Sequence, residues 1–421
     1  TKKKYYIYNT EMGANMIMPL KGLIIITFYG FITLNFISAD LRNFLFLLLL
    51  IISILNIKKL DLSVNKKEMY LLGSYLYIFL ITLFFYFYHE SPISDIDTYS
   101  RFLAVLPLYF LFKHIVLKPN DFVIMLVITS IATAILSSYL YFIDNPNQDR
   151  ITGLTEVSIT FGNMVMTIFV FLLVSLSEDL DKRKKILVIF SLFCAVVSWS
   201  FTMTKGSLIG LLFVLIYMLM SKSFNKNKIY IFIGSIIIMI TLFFSPMHRA
   251  LDIFVNDIKN VNQQELTEVH KDSNISFSTK ERIFLLVNAK EMIINNPITG
   301  VGYQNFKKHI AEKTYIDDRK YGMAHHDHAH NDFIDLWAKI GVFGFIALIY
   351  FYVINLKIFL KASSLRKNNY FEKIGVVTLL SQLGFMLTQT QLAHHQPTLF
   401  FLVILIVMSS QIIKNYERSL V

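Results

Sequence analysis

Apolar runs of roughly 17–25 residues recur along this chain, each long enough to cross a hydrocarbon core of ~30 Å. Spans are expected near 18–37, 41–57, 69–88, 101–117, 121–143, 156–177, 186–203, 206–221, 229–246, 333–356, 372–390 and 397–413. That makes about twelve transmembrane helices. The short alternating segments of a membrane β-barrel are not seen. The fold class is therefore all-α and polytopic. Composition agrees, since 16% of residues are charged and 55% hydrophobic, against about 25% charged in a soluble domain. No internal repeat is evident. One connection, 247–332, is too long for an ordinary loop and should carry helices of its own. The chain then divides into 1–246 with nine spans, a loop at 247–332, and 333–421 with three more.

A net charge of +11 raises the question of nucleic acid. The placement of the charge rules against it, because the basic residues gather in short connections between spans. Lys2 to Lys4, Lys58, Lys59, Lys66, Lys67, Lys113, Lys118, the run 182–185, Lys222, Lys226, Lys228, Lys357, Lys361, Arg366, Lys367, Lys373, Lys414 and Arg418 fall on alternate connections. Positive residues stay on the cytoplasmic side, so both termini are expected inside and the loop 247–332 outside, in the periplasm of a bacterium. The chain begins at Thr1, and the first span is expected to act as an uncleaved anchor. The single cysteine, Cys194, permits no disulfide framework within the chain.

Three cations break the topological trend: Arg101, Arg150 and Lys205 lie at the outer lip. Such residues either snorkel to lipid headgroups or face a cavity and bind something. In the long loop, Ser278-Thr279-Lys280-Glu281 has the form of a capping box. It should open a helix through Asn295, which Asn296-Pro297 and Gly300 then end. Arg282 falls in its first turn, unfavourably for the helix dipole unless an anion binds there. The glycines of Gly300-Val301-Gly302 follow no strand, so a dinucleotide motif is not supported.

The densest titratable stretch is His325-His326-Asp327-His328-Ala329-His330-Asn331-Asp332, directly before the tenth span. It permits three readings: a zinc site, a solvated polar loop, or a histidine acting as general base. For the third, His330 is best placed because the following span fixes it, with Asn331 or Asp332 as the group that orients it.

Taken together, these elements resemble the O-antigen ligase / O-antigen polymerase superfamily. The resemblance rests on His328-Ala329-His330-Asn331-Asp332-Phe333 followed by Gly341-Val342-Phe343-Gly344, on Arg282 with Asn296-Pro297 and Gly300-Val301-Gly302, and on Thr204-Lys205-Gly206-Ser207. Asp97 with Arg101, Arg150 with Gly153, and Gln389-x-Gln391-x-x-His394-His395, which is closer to ligases, share the pattern. It implies a metal-independent, GT-C-like glycosyltransferase of the bacterial inner membrane with no cofactor. The donor would be an undecaprenyl-diphosphate-linked glycan, and the acceptor lipid A–core oligosaccharide for a ligase or another lipid-linked repeat for a polymerase. By the same resemblance His330 would be the base, supported by His328, Asn331 and Asp97. Arg282, Lys205, Arg101 and Arg150 would hold the diphosphate. Where the family usually has arginine this chain has Lys205, a point charge without the bidentate fork. A lipid-linked glycan transporter stays open as an alternative of a different class, although such proteins usually show paired repeats or broken helices.

Overall fold

The computed structural model describes residues 20–144, 150–153, 157–227, 234, 247–261, 275–317, 326–364 and 370–418. Among them every regular element is helical. The helices are α1 (Lys21–Leu34), α2 (Ala39–Leu55), α3 (Lys66–Tyr88), α4 (Asp97–Ala104), α5 (Leu106–Lys113), α6 (Pro119–Tyr139), α7 (Ser158–Ser175), α8 (Lys182–Ser200) and α9 (Ser207–Met220). They continue with α10 (Met247–Val261), α11 (Phe277–Asn295), α12 (Tyr303–Asp317), α13 (Asp332–Ser364), α14 (Tyr370–Met386) and α15 (His395–Arg418). Five segments among the described residues are long and apolar enough to cross a membrane, and α1 and α9 are shorter apolar helices. The chain is thus a multi-pass membrane protein. The expected span 229–246 lies outside the described residues, apart from Gly234.

Burial sorts the helices into a centre and a periphery. The apolar windows of α7 and α15 are 94% and 89% buried, whereas that of α3 is only 33% buried. The first two form the middle of the bundle, and α3 turns much of its apolar surface outward, including exposed Phe84 and Phe87. Such surface suits lipid, whose tails give no hydrophobic drive between helices, so close approach at small residues holds the bundle instead. The contact of α9 with α14 shows this: a Cβ on Gly384 would strike the Cα of Gly210, and one on Gly206 would strike the Thr388 hydroxyl.

Three expectations change. The span at 101–117 is broken into α4 and α5, because Pro107 stands in the first turn of α5 and can neither donate its backbone N–H nor continue a preceding helix. The tenth span runs on to Ser364, but it is broken at Ile340 and Gly341 (φ 71°). Residues 297–302 dock into that break. Val301 and Gly302 donate backbone N–H bonds to Ala338 and Lys339 carbonyls at 2.9 and 2.8 Å, and Val342 donates to Pro297 at 3.0 Å. A Cβ at Gly341 would collide with the Ile298 carbonyl, so the two glycine-bearing stretches noted separately in the sequence form one joint.

The third change concerns the start of α11. Its N-cap is Ser276, not Ser278, and Glu281 does not reach back to cap it. Instead Asp257 of α10 accepts from the Ser276 N–H at 2.8 Å and the Thr279 hydroxyl at 2.7 Å. A carboxylate from another helix takes the place of the local box. The capping box that does form is at α3, where Asn65 accepts from the Glu68 N–H and Glu68 accepts from the Asn65 N–H.

Candidate active site

Three tight structures converge on the histidine stretch. The first is the start of α13. Asn331 caps it, its side-chain oxygen accepting from Phe333 and Ile334 N–H at 3.0 and 3.2 Å. Asp332 accepts from the backbone N–H groups of Gln391 and Leu392 at 2.8 and 3.0 Å. Asp335 accepts from the Ala329 N–H and from Lys339, both at 2.8 Å. These three side chains shape backbone. Neither Asn331 nor Asp332 orients His330 as the sequence led us to expect.

That role falls to Gln389. The His330 Nδ1–H donates to the Gln389 side-chain oxygen, and the Gln389 amide in turn donates to His394 Nε2 at 3.1 Å. The tautomer follows: with the proton on Nδ1, the lone pair of His330 is on Nε2. That Nε2 is buried and has no hydrogen-bond partner among the described residues. His330 also has φ 54°, a left-handed conformation that costs a non-glycine residue energy and is held only where its surroundings fix it. The cap at Asn331 and the clamp on Ala329 supply that fixing.

The second structure is the histidine loop itself. His328 and His330 ring centroids are 4.7 Å apart, and His328 is 5.5 Å from His394. His326 pairs with Glu281. One ring nitrogen from each of His326, His328 and His330 lies within 4.8 Å of the others. This constellation could hold a transition metal, although Glu281 and Gln389 already engage two of its members. His325 lies outside the described residues. Burial, followed by the charge of neighbouring His330 and His394, pushes the His328 pKa well down. His330 falls to about 4, with burial the main cause and Arg282 adding to it, against the raising effect of the Gln389 bond. Both rings are neutral at pH 7.

The third structure is a group of cations. The turn carrying Lys205 is locked by buried hydroxyls: Thr204 donates to the Ser158 carbonyl at 3.2 Å, and Trp199 donates to Ser207 at 2.6 Å. Burial lowers the Lys205 pKa, with Arg282 and Arg150 lowering it further and Asp257 opposing. Arg282 is likewise lowered by burial first, with Arg150 adding and Glu281 opposing, and its Nε is buried without a hydrogen-bond partner among the described residues. Burial alone would raise Asp257, but bonds from Ser276 and Thr279 and the charge of Lys205 bring it below its usual value. Arg282, Lys205 and Arg150 therefore share one positive field. Arg101 is engaged differently: it pairs with Asp97 at 2.6 Å.

The sequence pointed to His330, Arg282, Lys205 and Arg150, but it did not show that Gln389 bonds His330 or that Asp257 anchors α11. Residues 189–349 match the family model described as O-antigen ligase. The chain is also 23% identical, over 355 residues, to a protein of Haemophilus influenzae described as uncharacterized, covering 82% of this chain and 86% of that one. The matched segment holds Lys205, Arg282 and His330, and through it the chain is similar to the O-antigen ligase family, as its His-Asn and Thr-Lys-Gly elements implied.

Proposed function

We propose that the protein is an O-antigen ligase acting on the periplasmic face of the inner membrane. It transfers a glycan from undecaprenyl diphosphate to a hydroxyl of lipid A–core oligosaccharide. The observation that carries the reading is His330, whose Nδ1 is committed to Gln389 and whose buried Nε2 is free of hydrogen bonds among the described residues, beside a field of cations. Nε2 takes the proton of the acceptor hydroxyl as its oxygen attacks the anomeric carbon. The bond from that carbon to the diphosphate breaks, and the lipid diphosphate leaves with the electron pair. Its growing negative charge meets the half-buried Arg282 and Lys205, with the exposed Arg150 adding to their field, cations already in place where the charge develops. Burial first, and then neighbouring positive charge, lowers the pKa values of Arg282 and Lys205, which favours an anion arriving beside them. Arg101 is left out of this set by its pairing with Asp97. His328 packs tilted against the base, with ring centroids 4.7 Å apart, and supports its position.

No metal has a role in this scheme. Transfer by the purified protein should survive a divalent-metal chelator; loss of activity that zinc restores would assign the histidines to a metal instead. The acceptor is tested by deleting the protein in its host. Full-length lipid-linked glycan left unattached to core means a ligase, whereas an accumulation of single repeats means a polymerase and overturns the acceptor named here.

A further inference from the structure

A cleft of about 490 Å³ opens beside the histidine loop, between the segment before α4, the start of α12 and the first turns of α13. Its size falls within the roughly 300–1,000 Å³ of small-molecule sites. It is not the cation site. Asp95, Asp327, Gln304 and Lys307 line it, with the rings of Tyr99 and Tyr303. Asp335 and Lys339 also border it, but they are paired with each other at 2.8 Å. That leaves two carboxylates against one lysine, a poor reception for a diphosphate. One carboxylate oxygen, Asp95 Oδ2, is buried with no hydrogen-bond partner among the described residues.

The histidine loop separates this cleft from the cations. On one side His326 pairs with Glu281, the neighbour of Arg282. On the other, Asp327 lines the cleft 3.4 Å from His328, and Asp335 at the cleft wall holds the Ala329 N–H. For a direct displacement at an anomeric carbon, the attacking and leaving oxygens stand on opposite faces of that carbon. The leaving diphosphate is on the cation side, so the attacking hydroxyl must come from the other.

We infer that this cleft is the acceptor's sugar site, taking a neutral, hydroxyl-rich saccharide ring. Carboxylates at Asp95 and Asp327 accept from ring hydroxyls, Gln304 and Lys307 donate to them, and the tyrosine rings receive the C–H face of the sugar. No alkyl chain would choose such a lining. The inference rests on the proposed transfer reaction and adds to it where the acceptor binds.

The test uses the full chain in lipid nanodiscs, with an undecaprenyl-diphosphate oligosaccharide as donor. The acceptor is purified lipid A–core oligosaccharide or a second lipid-linked oligosaccharide, whichever the unaltered protein uses. Asp95→Asn, Gln304→Ala and Lys307→Ala should each raise the acceptor KM by about tenfold, the effect of losing one good hydrogen bond to a charged or fixed polar group. The donor KM and kcat should stay near those of the unaltered protein. Gln304 and Lys307 are exposed, so their variants remain informative even if Asp95→Asn folds poorly. A raised donor KM with an unchanged acceptor KM would give the cleft to the donor glycan and overturn the inference, as would no change in either. His330→Ala, assayed in parallel, separates the two ideas. If it transfers normally while the cleft variants raise the acceptor KM, the base assignment fails and the cleft stands. If it is inactive while the cleft variants change nothing, the reverse holds.

Discussion

Two groups of charged residues in this protein are built in opposite ways. Where α3 meets α5, Lys113 pairs with Glu68 at 2.9 Å and donates to the Ser63 carbonyl at 2.7 Å. Glu68 also accepts from the Tyr109 hydroxyl at 2.7 Å and from the Asn65 N–H at 2.6 Å. Both charges are closed off by partners within the protein. At the histidine loop, three cations share a field, Glu281 is given to His326, and Arg282 Nε and His330 Nε2 have no hydrogen-bond partner among the described residues. A closed group holds helices together. The second group leaves Arg282 Nε and His330 Nε2 able to bond something that arrives from outside.

The contrast breaks first at His330. His330→Ala should lower turnover by about 10²–10⁴, the usual contribution of a general base, with donor affinity nearly unchanged because other residues hold the diphosphate. His326→Ala should be much milder, since that ring answers to Glu281. Transfer rates and donor binding measured on both variants decide this; equal, mild effects would make the loop a polar surface.

Next come one substitution in each group. Arg282→Ala should cost on the order of 10²–10³ in transfer, the scale for losing one fixed stabiliser of developing charge, while Arg282→Lys costs less. Its stability should hold, because no buried partner is stranded. Glu68→Ala does the opposite: it leaves the buried Lys113 ammonium without its counter-charge, a loss of roughly 3–5 kcal/mol, with turnover per folded molecule unchanged. Thermal unfolding and transfer assays on the two variants would read the difference, and an Arg282→Ala that melts like Glu68→Ala would show that the cations are structural.

The smallest effect is in pH. His330 must be neutral to accept a proton, and burial has lowered its pKa to about 4. Activity should therefore be flat from pH 8 down through the ordinary histidine range and fall only as pH drops through about 4. A rate profile that falls near pH 6.5 would mean the base is a solvated imidazole.

How far the site could be read from the chain depended on the distance over which each contact runs. His330 and its capping Asn331 are neighbours in sequence, and the apolar run that follows them marks the helix. Gln389 lies 59 residues from His330, and its glutamine-histidine segment showed as a pattern but not as a partner. The capping box expected at Ser278 failed for the same reason: a local rule gave way to Asp257, which reaches Thr279 from 22 residues away. The break in α13 was partly visible in its glycines. That residues 297–302 fill it is a matter of tertiary packing, which spacing along the chain does not encode.

The glycine contact between α9 and α14 has a consequence for precision. Lys205 and Gly206 stand at the head of one helix, and Thr388 and Gln389 just beyond the end of the other. The residue proposed to receive the leaving group and the residue that holds the proposed base are thus mounted on two rods whose separation is set by bare backbone at Gly210 and Gly384. Bond making and bond breaking at one carbon tolerate errors of well under an ångström. A methyl group added at either glycine, deep in the bundle and remote from any substrate, would spread the rods and spoil an alignment that no residue in the site could restore.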